Sequence, residues 1–215
     1  MSRIIVGITG ASGAILGERL VQHLIDADNE VLAVLSPGAV TVFREELGIK
    51  LGEKHAEIRK NFLKRYGNPK GLQISPADDF ADRVSSGSSS IDAMVIAPCS
   101  MSTAASIAHG ITANLIHRAA SVSLKERRTL ILVPRESPLS TIHLENLLKL
   151  SQVGAFIVPA TTAFYHNPKT INEMVDFTVG RVLDILKIKN KLFKRWREDE
   201  GRVGHSRISG YLQED

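Results

Sequence analysis

The stretch Thr129-Leu-Ile-Leu-Val-Pro134 runs without a spacer into Arg135-Glu136-Ser137-Pro138. Its apolar residues do not alternate with polar ones, as expected of a strand covered on both faces, and such strands belong to parallel sheets. Two charges follow at once, with no room to escape to bulk water. Ligands of parallel sheets bind just beyond the carboxyl ends of the strands. Arg135 and Glu136 are therefore candidates for anion binding and proton transfer.

The same alternation of buried strand and helix extends in both directions. Strands are predicted at Arg3–Thr9, Glu30–Leu35, Leu72–Ser75, Ala93–Ala97 and Ala155–Val158. Helices are predicted at Ala14–Ala27, Ala39–Leu47, near Glu53–Tyr66, at Ser102–His109, Thr112–Lys125, Leu139–Gln152 and Ile171–Ile188. The first helix carries Ile15, Leu16, Leu20, Val21, Leu24 and Ile25 on one face. Strands alternating with helices imply right-handed βαβ units. The predicted fold class is α/β, a Rossmann-like doubly wound parallel sheet in a three-layer sandwich. Its ligand crevice should collect the loops 9–13, 36–38, 85–90, 98–103, 134–138 and 159–168.

The 215 residues suit one α/β domain over 1–188, followed by a basic tail over 189–215 that is extended or held by a partner. Lys187–Arg207 holds eight Lys/Arg against three Asp/Glu, a surplus larger than the whole chain's net +4. The body is thus slightly acidic, which argues against nucleic acid as its partner. No apolar run reaches the roughly 18 residues that span a bilayer. The chain enters a strand at Ile4-Ile5-Val6, which predicts no signal peptide, and Cys99 is its one cysteine. A cytoplasmic setting follows as the expectation. The seven histidines have no metal-site spacing, so no metal is expected.

Several loops carry groups suited to an anionic, planar ligand. Gly7-Ile-Thr-Gly-Ala-Ser-Gly-Ala14 joins the first strand to the first helix, where backbone amides can approach a phosphate. Its Ser12 adds a hydroxyl, or simply caps the helix. Ser36 follows the second strand and can reach the same anion or cap the next helix. The loop Ser85–Ser90 contains Gly87. In Ala97-Pro-Cys-Ser-Met-Ser-Thr103, the residues Ser100, Ser102 and Thr103 offer hydroxyls at a helix start, and Met101 suits a planar face. Cys99 reads as a small buried residue. Lys125 ends a helix, Tyr165 lies in a proline-bounded loop, and Arg181 either meets an anion or pairs with Asp184.

These segments together resemble the flavin prenyltransferases, the UbiX-like enzymes formerly described as aromatic acid decarboxylases. The matching pieces are G-I-T-G-A-S-G-A (7–14), S-G-S (86–88), A-P-C-S-M (97–101), L-K-E-R-R (124–128), L-V-P-R-E-S-P-L (132–139), I-H-L-E-N (142–146), P-A-T-T-A-F-Y-H-N-P (159–168) and V-G-R-V-L-D (179–184). The resemblance implies an enzyme that joins a dimethylallyl group from dimethylallyl phosphate to N5 and C6 of reduced FMN. It implies no metal, a homo-oligomer (a dodecamer) and a UbiD-type decarboxylase that receives the product. By the same resemblance Gly10, Ala11, Ser12, Ser36, Ser100, Met101, Ser102, Thr103 and Arg135 hold FMN. Gly87, Lys125, Glu136, Tyr165 and Arg181 surround the prenyl phosphate, some of them from a neighbouring subunit. Catalysis falls to Glu136, Ser12 and Lys125. Glu46 has the spacing of a further family acid, with Glu45 competing for that place. The alternatives are an FMN-dependent cysteine decarboxylase, whose group carries P-A-x-N where this chain has P-C-S-M, and a non-catalytic flavin carrier.

Overall fold

The computed structural model describes residues 1–196. Six strands form one parallel sheet: β1 (Arg3–Ile8), β2 (Glu30–Leu35), β3 (Leu72–Pro76), β4 (Ala93–Cys99), β5 (Thr129–Pro134) and β6 (Phe156–Ile157). Their order is β3-β2-β1-β4-β5-β6, with every neighbouring pair parallel. The chain leaves β1 toward β2 in one direction and later returns to place β4 on the other side. The sheet is thus doubly wound, with its switch point between β1 and β4.

Helices cover both faces. They are α1 (Ala14–Asp26), α2 (Pro37–Leu47), α3 (His55–Arg65), α4 (Met101–Ala108), α5 (Leu115–Lys125), α6 (Thr141–Gln152) and α7 (Ile171–Ile185). One core layer joins the sheet residues Ile4, Val6 and Ile8 to Leu20, Phe43 and Val179. The other joins Ile5, Ile96 and Leu132 to Ile116 and Leu150. Alternate residues of β1 feed opposite layers, which is why the strands read as continuous apolar runs. An Arg19–Asp176 pair, at 2.7 and 2.9 Å, ties α1 to α7.

Boundaries differ from the sequence expectation where capping decides them. Helix α5 starts at Leu115, not Thr112, because Asn114 accepts from the His117 amide at 3.0 Å. Helix α6 starts at Thr141, not Leu139, because Ser140 and His143 form a reciprocal capping box. Strand β6 keeps only two residues, since it pairs along one edge alone. A short 3₁₀ turn at Arg83–Ser85 was not expected; Asp82 caps it by accepting from the Val84 amide at 3.0 Å. The expected tail begins inside the described residues. Its first part, 189–196, folds back along α7, and 197–215 lie outside them. Among the described residues no helix is long and apolar enough to cross a membrane.

Candidate active site

The β1–α1 and β2–α2 loops touch backbone to backbone. A Cβ on Gly10 would lie 3.1 Å from Gly38 Cα, and one on Gly38 would lie 3.0 Å from Gly10 Cα. Any side chain at either position would separate the loops. Across the switch point, Thr9 Oγ1 donates to the Pro98 carbonyl and accepts from the Ser100 amide, both at 2.8 Å. Thr9 is 2% exposed, so this buried hydroxyl fixes the relative height of the β1 and β4 loops. No motif in the sequence singles out Thr9. Its signal was a hydroxyl directly after a buried strand, where an unpaired polar group is costly.

The first turn of α1 receives a carboxylate from its own chain. Glu46 accepts from the Gly13 and Ala14 amides, both at 2.9 Å. Burial would push its carboxyl up, but hydrogen bonds from Ser12, Gly13 and Ala14 and the Arg135 charge outweigh that and hold it below the usual range. The ambiguity between the two acids is thereby resolved. Glu45 pairs with Arg44 at 2.8 Å on the surface, and Glu46 turns to the α1 loop. The amides of Gly13 and Ala14 are therefore engaged, so an external anion must use the earlier part of the loop, Gly10 to Ser12.

Glu46→Ala is accordingly expected to cost about 1–2 kcal/mol, the size of a lost N-terminal cap, and Glu45→Ala less than about 0.5 kcal/mol. A carboxyl whose pKa is depressed on folding contributes stability above its unfolded value, near 4.3, and loses it as pH falls through the folded value. Thermal melts of both variants and the parent at pH 7 and pH 3 check this. The Glu46→Ala deficit should be full at pH 7 and shrink at pH 3.

Arg135 and Glu136 extend from β5 into the same area, both exposed. Arg135 Nε donates to the Ser12 carbonyl at 3.3 Å, while Glu136 Oε1 accepts from the Ser137 amide at 3.2 Å. The two neighbours thus turn to different partners instead of pairing with each other. Ser36 caps α2 by accepting from the Ala39 amide at 3.2 Å. Ser100 caps α4, and its hydroxyl also meets those of Ser102 at 3.1 Å and Thr103 at 3.0 Å. Met101 is 6% exposed and packs in the core. Cys99 is fully buried, and burial pushes its thiol up to about 12, which leaves it inert.

The expected residues do not all gather at one end of the sheet. Gly87 lies beside Lys125 and Glu126: a Cβ on Gly87 would meet Lys125 Nζ at 2.7 Å. Arg128 donates to the carbonyls of Gly87 and Ser89 at 2.6 and 2.7 Å, and Arg118 Nε to that of Ser85 at 3.0 Å. Lys125 and Arg128 precede β5, and Arg135 follows it. The six residues of β5 separate them by about 20 Å. The loop 85–90 therefore belongs to the amino ends of the strands. Its inclusion in the crevice is corrected: it precedes β4 instead of following β3. Tyr165 stands on the carboxyl side, in a loop whose Ala160 amide donates to the Pro134 carbonyl at 2.9 Å. Arg181 lies further along α7 and pairs with Asp184 at 3.1 Å.

A cavity of about 1030 Å³ opens over β2 and β3 between Pro37, Thr41, Arg44, Ile58 and Asn114. It contains none of the Ser12, Glu46, Arg135 and Glu136 cluster. We place the candidate site at the cluster, because charge and hydroxyl groups converge there at the switch point.

The Flavoprotein family model matches residues 1–195. Flavin prenyltransferase UbiX of Methanocaldococcus jannaschii is 48% identical over 90% of this chain and 98% of its own length. The crystal structure of AnUbiX in complex with FMN and dimethylallyl pyrophosphate superposes with a TM-score of 0.80. It is 38% identical, covering 91% of this chain and 97% of that one. The dodecameric FMN-dependent UbiX-like decarboxylase of Escherichia coli O157:H7 has a TM-score of 0.79 at 40% identity, covering 90% and 98%.

Proposed function

The chain belongs to the flavin prenyltransferases of the Flavoprotein family, and on that premise we propose that it joins a dimethylallyl group to reduced FMN. The observation that carries the reading is the meeting of Ser12, Glu46 and Arg135 beyond the switch point, with Glu136 next to Arg135 in the chain. The residues present fit FMN. Gly10 and Gly38 leave no side chain over the loop edge, Ser36 and Ser100 to Thr103 offer hydroxyls, and Arg135 is an exposed cation. Ser36 and the Gly10–Ser12 loop would take the phosphate, with Arg135 and the start of α4 holding the rest.

Reduced FMN supplies the nucleophilic N5 and C6 atoms that receive the dimethylallyl group. Lys125, Arg181 and Tyr165 would meet the departing phosphate, since donors aimed at developing negative charge lower the barrier. Glu136 would deliver a proton to that phosphate, because a neighbouring anion favours the protonated carboxyl. Ser12, whose hydroxyl donates to Glu46, would relay protons during ring closure. The closed loops would exclude water, which otherwise captures an allylic cation. Lys125 and Gly87 would reach this site from an adjacent copy, since within one chain they lie at the far end of the sheet. That arrangement calls for a homo-oligomer, and we infer a dodecamer like the Escherichia coli neighbour. We further infer a cytoplasmic enzyme whose product serves a UbiD-type decarboxylase.

The direct test incubates the protein with reduced FMN and either dimethylallyl phosphate or the pyrophosphate, and reads flavin mass. A flavin heavier by one dimethylallyl unit is the expected product. Unchanged FMN with both donors would sink the proposal.

A further inference from the structure

Asp184 is bonded to three side chains, one on α7 and two on the segment that follows it. Arg195 grips it in bidentate fashion, Nη2 to Oδ1 at 2.6 Å and Nη1 to Oδ2 at 3.1 Å. Asn190 Nδ2 donates to Oδ1 at 3.0 Å, and Arg181 Nη1 donates to Oδ2 at 3.1 Å. Planar guanidinium–carboxylate pairs of this kind fix geometry as well as adding energy. Two of the partners, Asn190 and Arg195, belong to the segment 189–196 that follows α7.

The segment is also keyed to α7 by shape. Phe193 fills the notch left by Gly180, where a Cβ would lie 2.6 Å from the ring. Phe193 then packs edge-on to Phe177 at 4.9 Å, and Arg195 lies over its ring at 5.3 Å. Beyond it, Trp196 meets the edge of Tyr165 at 5.3 Å, with Phe177 on another side of Tyr165 at 6.0 Å. One run of eight residues thus connects the carboxylate that holds Arg181 to the ring that holds Tyr165.

We propose that Asp184 is a positioning residue for the prenyl-phosphate end of the site: it fastens 189–196 along α7 and so sets Tyr165 and Arg181. This rests on the reading of Tyr165 and Arg181 as the groups that meet the leaving phosphate. The fastening carries no catalytic step of its own. It keeps an exposed arginine and an exposed tyrosine from sampling many rotamers, an entropy that substrate binding would otherwise have to offset.

Trp196 is the chain's one tryptophan, so its fluorescence anisotropy reports the segment directly. The FMN-loaded enzyme is compared with Asp184→Asn and Gly180→Ala. The first weakens the Arg195 grip, and the second drives Phe193 from its notch while leaving every charge in place. Both should lower Trp196 anisotropy and raise KM for dimethylallyl phosphate roughly tenfold, the scale of one charge-assisted hydrogen bond. FMN affinity and kcat should stay within about threefold of the parent. Unchanged anisotropy in both variants overturns the proposal, and so does lowered anisotropy with KM unchanged. A KM rise in Asp184→Asn alone also overturns it, because the charge and not the fastening would then be what the site uses. Arg181→Gln tests the premise separately: an unchanged KM there removes the reading on which the proposal rests.

Discussion

Glu136→Gln is expected to slow prenyl transfer by roughly 10²–10⁴-fold while leaving FMN bound and the protein fully folded. The substitution keeps the size of the side chain and an oxygen that can accept from the Ser137 amide. It removes the titratable carboxyl, and the amide that replaces it is no Brønsted acid at working pH. Glu136 is well suited to this role because its neighbour does not neutralise it: Arg135 is directed to the Ser12 carbonyl. A carboxyl locked to an adjacent guanidinium would stay ionised and make a poor acid. The loss corresponds to about 3–5.5 kcal/mol of transition-state stabilisation. Single-turnover kinetics with pre-bound reduced FMN separate this from a binding defect. A rate within threefold of the parent would remove Glu136 from the chemistry. Arg135→Gln should behave in the opposite way, weakening FMN binding first.

The largest effect on stability is expected from Gly17→Ala. Gly17 lies in the second turn of α1, against β4. A Cβ there would lie 2.4 Å from the Ala97 carbonyl oxygen and 3.1 Å from Ile8 Cδ1. The oxygen is backbone, one residue beyond the part of β4 that pairs on both sides and ends at Ile96, so it yields less readily than a flexible side chain would. Helix propensity alone favours Ala over Gly by about 1 kcal/mol, so it predicts the wrong sign. Overpacking should dominate and cost about 3 kcal/mol net, which for a domain of this size lowers Tm by roughly 6–12 °C. Displacing α1 would also shift the loop that carries Ser12, so FMN should be lost more readily. A melt within 2 °C of the parent would show that α1 can slide without cost.

The sheet and the helices were legible because each carries its own periodicity. The uninterrupted apolar runs at 4–8, 31–35 and 130–134 identify strands covered on both faces, and their alternation with helices implies parallel crossovers. The starts of α5 and α6 were misplaced because a cap decides them, through which side chain reaches which amide, as Asn114 and Ser140 show. The short β6 has a similar cause, since an edge strand's length depends on its one partner. The loop 85–90 was misplaced because residue patterns do not record at which end of the sheet an irregular segment stops.

Among the chemistry-bearing groups, the sequence by itself determined that Arg135 and Glu136 stand at a strand's carboxyl end, because the apolar run stops there and no residue intervenes. It also determined the glycine-rich turn, and its motifs the family. Only the tertiary structure decided that Glu46 and not Glu45 meets the α1 loop, that Arg135 reaches Ser12, and that Gly87 lies beside Lys125. Each of those depends on which groups approach one another across 32 to 123 residues of chain. Local pattern fixes which face a residue occupies, but the partner on that face is set by how the βαβ units stack.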